Sequence, residues 1–203
     1  MISIAESEVF TKRGQLFMRW ARMLLIVSGI LAISYVGLTL LGARRFQKDA
    51  SLLLDKQIHA KGLHRAQPLR LPIKEGDVLG RIEIPRIGIS VIVLQGTKSQ
   101  TLRLGAGHID GTPLPGEAGN IGIAGHRDTF FRGLKNIHKD DEILLQSVSG
   151  VSKYQVDWIQ ITAPGDSGII SSKTESALTL VTCYPFHFIG AAPERFIVHA
   201  HRE

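Results

Sequence analysis

An uninterrupted run of uncharged residues constrains this chain more than any other feature of its sequence. The 21 residues from Met23 to Ala43 carry no charge and lie between Arg22 and Arg44. As a helix they would span about 31 Å, close to the thickness of the hydrocarbon core of a bilayer. Trp20 and the flanking arginines suit the headgroup region. We therefore predict a transmembrane anchor over residues 23–43, with a buried core helix as the weaker alternative.

The residues around this run argue against a cleaved signal peptide but do not orient the helix. Leu41-Gly42-Ala43 is followed at once by two arginines, which makes a poor small-residue cleavage site, and the apolar run is longer than a signal peptide needs. Four Lys/Arg lie within about 15 residues of the run on each side. Because the two counts are equal, the positive-inside rule does not predict which side is cytoplasmic. The orientation must come from the function of the rest of the chain.

The positive charge of the chain is confined to its N-terminal third. Residues 1–67 hold ten Lys/Arg and four acidic residues, whereas residues 68–203 hold fourteen of each. The pI near 9.7 therefore reports a basic collar around the anchor, and no nucleic-acid partner is expected. Residues 44–74 are predicted to be a juxtamembrane stalk. Its helical part has a partial apolar stripe (Leu52, Leu53, Ile58 and Leu63) and is interpreted as a solvated or membrane-skimming spacer.

From residue 68 onward, Gly and Pro separate short β-branched runs, which predicts a mostly β domain. Seven strands are predicted, at residues 79–84, 88–94, 120–124, 142–146, 154–162, 177–182 and 195–200. Only residues 130–137 have apolar side chains at helical spacing. So many short strands favour a closed or half-closed barrel.

Cys183 is the only cysteine, so the chain can form no internal disulfide, and a cysteine-based zinc site is very improbable. It ends a predicted strand and is followed by Tyr184-Pro185. A rigid sheet can hold a thiol at such a position while its sulfur faces a cleft. A buried structural thiol explains the position equally well, because free cysteine is among the most buried residue types.

Two other residues are placed to assist a thiol nucleophile. A cysteine near pKa 8.5 needs a neighbouring base or cation, attack on an amide needs an oxyanion donor, and the leaving amine needs a proton. His126 follows the predicted strand 120–124, and Arg195 begins the last predicted strand. Arginine offers five donors in a fixed fork.

Three segments of the chain, in order, resemble the sortases, which are membrane-anchored cysteine transpeptidases. Residues 179–186 read TLVTCYPF and resemble the TLxTC signature. Gly107-His108, residues 115–120 and residues 124–127 (AGHR) resemble the histidine block, and residues 190–198 (GAAPERFIV) resemble the arginine segment. The details around the cysteine and the arginine are most similar to class D, with class E and the Gram-negative group as alternatives.

The resemblance implies a fold, a reaction and a location. The fold would be an eight-stranded β-barrel with short helices over residues 75–203, preceded by one transmembrane helix. Cys183 would attack an LPxTG-like sorting signal, His126 would act as acid and then base, and Arg195 would hold the substrate and the oxyanion. A cell-wall precursor or a pilin lysine would supply the amine. Residues 1–22 would be cytoplasmic and the domain would lie outside. No cofactor is implied, and calcium has no coordination pattern in its support.

Several further residues have plain interpretations. His108 is either a supporting or a structural residue, and Asp128 either orients His126 or pairs with its neighbour Arg127. Trp158 is expected in the core. The Asp140-Asp141-Glu142 segment is expected to be a solvated turn. His199 and His201 are expected to share a strand face as a surface pair rather than a metal site.

Two other functions compete with transpeptidation. A membrane-tethered cysteine protease would hydrolyse the signal, although the papain order of Cys before His is the reverse of the order here. A non-enzymatic β-barrel binding module with a buried thiol would have no acyl-enzyme at all.

Overall fold

The fold comes from a computed structural model, which describes residues 3–63, 72–165, 176–188 and 190–203. The helices are α1 (Ser3–Leu63) and α2 (Ser99–Leu104), with 3-10 turns at Pro85–Ile87 and Arg132–Asn136. The strands are β1 (Val78–Ile84), β2 (Ile89–Gln95), β3 (Ala106–His108), β4 (Asn120–Gly125), β5 (Glu142–Ser147), β6 (Gly150–Thr162), β7 (Ala177–Tyr184) and β8 (Glu194–Arg202).

The eight strands close into a barrel in the order β1-β2-β3-β4-β7-β8-β6-β5, which confirms the predicted fold. The pairs β2–β3 and β4–β7 are parallel, and the other pairs are antiparallel. All seven predicted strands are present within one to four residues of their predicted bounds. The three-residue strand β3 and the short helix α2 were not predicted.

The barrel is filled by alternate side chains of each strand, as the two-residue period of a strand requires. Leu178 and Leu180 of β7 lie opposite Ala200 and Val198 of β8, and all four are buried in the core. The odd-numbered residues of both strands consequently face the outside of the barrel. This alternation determines which side chains share the surface described below.

The chain divides into two compact units, Met1–Gly42 and Ala43–Glu203. In the first unit, large apolar side chains are exposed along the described part of α1 from Leu16 to Leu41. The stretch Leu16–His59 contains an 18-residue window of mean hydropathy 2.3 and is long enough to cross a membrane. A membrane anchor and a signal sequence both have this character.

In the second unit, the last part of α1 packs on the outside of the barrel. Ala50 and Leu54 are buried against Ile92 and Leu94 of β2. Phe46, Ile58 and Leu104 border this contact. Strand β2 is therefore covered on both faces, because Val91 and Val93 point into the barrel. The interpretation of this segment as a solvated spacer is wrong for the residues on this face, although the segment is helical to Leu63 as predicted.

Polar contacts complete the same interface. The Gln47 side-chain amide donates to the Leu104 carbonyl (2.5 Å) and accepts from the Ile92 N–H (2.9 Å), in the manner of a neighbouring strand. Arg81 on β1 pairs with Asp55 of the helix, with Nη2 and Oδ1 3.2 Å apart, and its Nη1 donates to Ser51 at 2.6 Å. These directional bonds fix the helix in one position on the barrel.

Two predictions about single residues are wrong. Trp158 is 37% exposed and lies outside the core, because β6 has an irregularity between Val156 and Trp158 that shifts the alternation by one residue. Asp141 is 7% exposed and pairs with Arg86, so it is not part of a solvated turn.

Candidate active site

The ends of β4, β7 and β8 bring the three predicted site residues into one row. Cys183 is the register partner of Arg195 in the antiparallel pair β7–β8. Gly125 is the partner of Thr182 in the parallel pair β4–β7, so the next residue on each strand is His126 and Cys183. Register partners in a sheet have Cβ atoms about 5 Å apart and share a face. The row therefore runs His126, Cys183, Arg195 across three adjacent strands.

This row lies on the outer face of the barrel. Ile121 and Ile123 of β4 point into the core, as do Leu180 of β7 and Val198 of β8. Cys183 and Arg195 have the opposite parity, and continuing β4 by one residue puts His126 on the same side. Cys183 is half-buried rather than fully enclosed.

The position of His126 is set by close packing at the end of β4. A Cβ added to Gly125 would lie 2.6 Å from Cδ2 of Phe131, so only glycine fits beneath this ring. The Phe131 N–H donates to the His126 carbonyl at 3.0 Å, which closes the turn after the strand. Phe131 is fully buried, and the turn is thereby anchored in the core.

Thr182 ties the histidine strand to the cysteine strand. Its hydroxyl donates to the Gly125 carbonyl at 2.7 Å, and the side chain is 2% exposed. A second buried bond, from the Thr179 hydroxyl to Asn120 Oδ1 at 2.9 Å, joins the same two strands further down. The two bonds fix the parallel register that places His126 beside Cys183. In the sequence, Thr182 stands out only as part of the TLxTC-like signature, which predicts no role for its hydroxyl.

A half-buried aromatic cluster lies beside the row, and two of its rings, Phe186 and Phe196, pack against the barrel core. Tyr184, Phe186 and Phe196 contact one another, with ring centroids 5.1 to 6.1 Å apart. Tyr184 follows the cysteine and Phe196 follows the arginine. Contacts of this kind stabilise the packing beyond the area they bury, so the strand ends that carry Cys183 and Arg195 have a rigid base.

Arg195 is held by the chain just before it and keeps donors to spare. Its Nη1 donates to the carbonyls of Glu194 (2.9 Å) and Ala192 (3.3 Å). Within the described part of the chain, its Nε and Nη2 make no hydrogen bond. A guanidinium fixed at one nitrogen and free at the others is suited to bind a carbonyl or an oxyanion.

Below the row, the same face of the sheet is small and apolar. The next outward positions are Ala124 on β4, Val181 on β7 and Ile197 on β8, paired in register. Ala124 and Val181 are half-buried, whereas Ile197 is 3% exposed. Of the three side chains, the first two can therefore be reached from outside the barrel.

The remaining predicted residues lie apart from the row. His108 is 2% exposed, and its Nε2 lies 2.9 Å from both the Pro113 carbonyl and the Thr112 hydroxyl, which favours the structural role. Asp128 is exposed, and Arg127 donates to main-chain carbonyls instead of pairing with it.

His199 and His201 share the outer face of β8, as predicted, and both contact the Asp157 carboxylate, at 3.1 and 2.5 Å. Trp158 stacks on His199 with ring centroids 4.8 Å apart. Among the described residues, no group of three or more His, Cys, Asp or Glu side chains is arranged to hold a metal ion.

Comparison with known proteins places this arrangement in a family. A family model described as a sortase domain matches residues 82–203. Sortase D of Bacillus subtilis (strain 168) is 30% identical over 190 residues, which cover 89% of this chain and 96% of that protein.

Solved structures agree with that assignment. A Clostridium perfringens sortase D5 transpeptidase superposes with a TM-score of 0.63 at 25% identity, covering 79% of this chain and 97% of the other. The sortase C of Clostridium perfringens with its C-terminal cell wall sorting motif gives 0.60 at 29% identity, covering 74% and 87%.

Proposed function

Because this chain belongs to the sortase family of cysteine transpeptidases, we propose that it cleaves an LPxTG-like sorting signal through Cys183 and passes the product to an amine. Cys183 is the nucleophile, His126 the proton donor and acceptor, and Arg195 the oxyanion and substrate residue. The observation that carries the proposal is the pairing of Cys183 with Arg195 beside the strand end that precedes His126.

The first step forms a thioester. The Cys183 thiolate attacks the threonine carbonyl carbon of the signal, and the free donors of Arg195 stabilise the negative oxygen that develops. His126, as imidazolium, gives its proton to the departing amine of the next residue. The peptide bond breaks, the C-terminal fragment leaves, and the new chain end is joined to Cys183 Sγ.

The second step moves the acyl group to an amine. An incoming primary amine attacks the thioester carbonyl while neutral His126 takes one of its protons. The thiolate of Cys183 leaves, a new amide forms, and the histidine is again an imidazolium. The free enzyme is thereby restored with the charges it had at the start. A cell-wall precursor and a pilin lysine are the two amine classes that this family chemistry favours.

The shape of the outer sheet face supports a peptide substrate. The half-buried apolar side chains of Ala124 and Val181 lie in the row next to the catalytic one, where the leucine and proline of an LPxTG-like signal would pack. The related Clostridium perfringens sortase C is described with a C-terminal cell wall sorting motif. We propose a signal of the same chemical class for this chain.

We propose that the chain acts at the outer face of a cell membrane. Residues 1–22 would be cytoplasmic, residues 23–43 would span the bilayer, residues 44–74 would join it to the barrel, and residues 75–203 would form the catalytic domain. The apolar window of α1 supports the anchor. The orientation follows from the proposed substrates, because sorting signals and cell-wall amines would be met at the outer face of the membrane.

Mass spectrometry of the full chain in detergent micelles tests the proposal. The chain is incubated with a library of LPxTG peptides varied at x, without an added amine, and then digested. We expect a thioester-linked N-terminal peptide fragment on Cys183 and a released C-terminal fragment. Cys183→Ala should fold normally and show neither product. A wild-type chain that forms no adduct with any peptide would refute the assignment of Cys183.

A further inference from the structure

Arg127, the residue after His126, binds main-chain carbonyls of the loop between Cys183 and Arg195. Its Nη2 donates to the carbonyl of Phe188 at 2.6 Å and to that of Gly190 at 3.0 Å. Its guanidinium carbon lies 5.9 Å from the centroid of the Phe188 ring, within the range of a cation–π contact. Its Nη1 atom is shielded from solvent and has no hydrogen-bond partner among the described residues. The two hydrogen bonds and the ring contact connect the end of β4 to the middle of the β7–β8 loop, whose described residues are 185–188 and 190–193.

The same loop is held from its other side by Arg195. The carbonyls of Ala192 and Glu194 accept from Arg195, whereas those of Phe188 and Gly190 accept from Arg127. Two guanidinium groups thus bind four main-chain carbonyls at alternate residues of one short segment. Charge-assisted hydrogen bonds of this kind are roughly twice as strong as neutral ones.

We propose that Arg127 is a positioning residue of the reaction, which locks the β7–β8 loop to the histidine strand and so keeps His126, Cys183 and Arg195 in register. The inference rests on the proposed function and deepens it. Arg127 touches neither the reacting atoms nor the substrate in this scheme. It acts through the loop whose two ends carry the nucleophile and the oxyanion residue.

The β7–β8 loop needs a second point of attachment because Arg195, which also holds it, must bind the substrate. When the free Nε and Nη2 of Arg195 bind a substrate carbonyl, the rigid guanidinium must turn toward it, and this movement pulls on the Ala192 and Glu194 carbonyls that its Nη1 binds. Arg127 binds the loop independently, so the loop keeps its position while Arg195 binds the substrate. A shift of about 1 Å in a catalytic group can lower the rate by about a hundredfold, which makes this loop a sensitive part of the site.

The chemistry of the two arginines predicts different tolerance to lysine. The partners of Arg127 are two separate carbonyl oxygens, and a lysine ammonium with three rotatable donors can bind both. Arg195 must bind the loop carbonyls and the substrate at the same time through different nitrogens of one planar guanidinium. The single ammonium group of lysine does not reproduce this geometry. The contrast separates a positioning role from a catalytic one.

The test compares Arg127→Met, Arg127→Lys and the control Arg132→Met, each as the full chain in detergent micelles. Arg132 is an exposed arginine whose side chain makes no hydrogen bond within the described residues. Release of the C-terminal fragment from LPxTG peptides gives kcat and KM, and hydrogen–deuterium exchange reports the amides of the β7–β8 loop. We expect Arg127→Met to lower kcat by roughly tenfold to a hundredfold with little change in KM, and to speed exchange in the loop alone. Arg127→Lys should keep most of the rate, and Arg132→Met should match the wild type in both measurements.

The outcomes separate the inference from the proposed function. Normal kcat in Arg127→Met, or a lowered kcat with unchanged loop exchange, would overturn the positioning role. If Arg127→Met does not fold, Arg127→Lys decides, and a loss as deep as that of Arg195→Lys would count against the inference. If the wild-type chain releases no fragment, the proposed function fails first and takes the inference with it. A defect confined to the Arg127 variants leaves the proposed function standing.

Discussion

At the scale of single residues, the site depends on main-chain carbonyls as much as on side chains. The Gly125 carbonyl is bound by Thr182, the His126 carbonyl by Phe131, and the carbonyls of the β7–β8 loop by arginines. Each bond fixes a backbone position next to a proposed catalytic group. Among the described residues, the side chains proposed to be catalytic make few hydrogen bonds: Arg195 binds two main-chain carbonyls, and His126 and Cys183 bind none.

Replacing Arg195 by lysine should remove most of the activity. We expect kcat/KM for LPxTG peptides to fall by about a hundredfold or more, because loss of one oxyanion donor typically costs that much. Arg202→Lys, at the exposed end of the same strand, is the matched control and should leave turnover unchanged. Near-normal turnover in Arg195→Lys, with the fold intact by circular dichroism, would remove Arg195 from the oxyanion role.

The three proposed site residues could be selected from sequence because each occurs in a distinctive block at the end of a β-branched run, and the register of β4, β7 and β8 brings these blocks together. Arg127 and Thr182 were not, because their partners lie far along the chain: Arg127 bonds to Phe188 and Thr182 to Gly125. Asp141 was misjudged for the same reason, since its partner Arg86 lies 55 residues away. Long-range polar pairs have no local signal.

At the scale of elements, the barrel strands follow their sequence patterns, whereas the last part of α1 does not. The alternation of apolar residues predicted seven strands. It missed β3, which has three residues, one of them glycine, and is held by neighbours on both sides. The apolar face of the helix was also misjudged: Leu52 and Leu53 are exposed, and Leu54 is buried. The barrel surface at Ile92 and Leu94 decides which face is covered.

The docking of this helix can be tested with two adjacent leucines. Leu54 is 1% exposed and Leu53 is 60% exposed. Leu54→Ala should lower the free energy of unfolding of the barrel unit by roughly 2–5 kcal/mol through the cavity it leaves, whereas Leu53→Ala should change it by less than about 0.5 kcal/mol. Chemical denaturation of the full chain in detergent measures both, followed by the fluorescence of Trp158 in a Trp20→Phe background that removes the other tryptophan. Equal effects would mean that the helix is not packed on the barrel.

At the level of the whole chain, the net positive charge lies in the N-terminal third, whereas the part that forms the barrel has no net charge. The excess positive charge surrounds the apolar segment, and residues 68–203 carry equal numbers of both signs. Inside the barrel unit, Arg86 joins the 3-10 turn after β1 to the segment before β5 by binding Asp141 and the Asn136 carbonyl. Asp141 also accepts from the His138 N–H at 2.8 Å. This carboxylate therefore links distant parts of the barrel.

The stability of the barrel should fall in acid partly through this link. The hydrogen bond from Arg86 holds the pKa of Asp141 below its ordinary value near 3.8, against the opposing effect of burial. A lowered pKa in the folded state stabilises the fold above about pH 4, and the contribution is lost as the pH falls through the folded pKa. Asp141→Asn should be less stable than the wild type at neutral pH, and the gap should narrow below about pH 4. Denaturant titrations at several pH values measure the gap, and a gap that stays constant would contradict the assignment.

The fate of the acyl group is the most direct measure of the central claim that this chain transfers a peptide to an amine through Cys183. The full chain in detergent is incubated with a cleavable LPxTG peptide and a panel of primary amines (triglycine, lysine and diaminopimelate), and the products are separated by mass. We predict that at least one amine diverts the product from the free acid to the amide, and that Cys183→Ala forms neither. Free acid alone, in the presence of every amine, would show a hydrolase and would contradict the account.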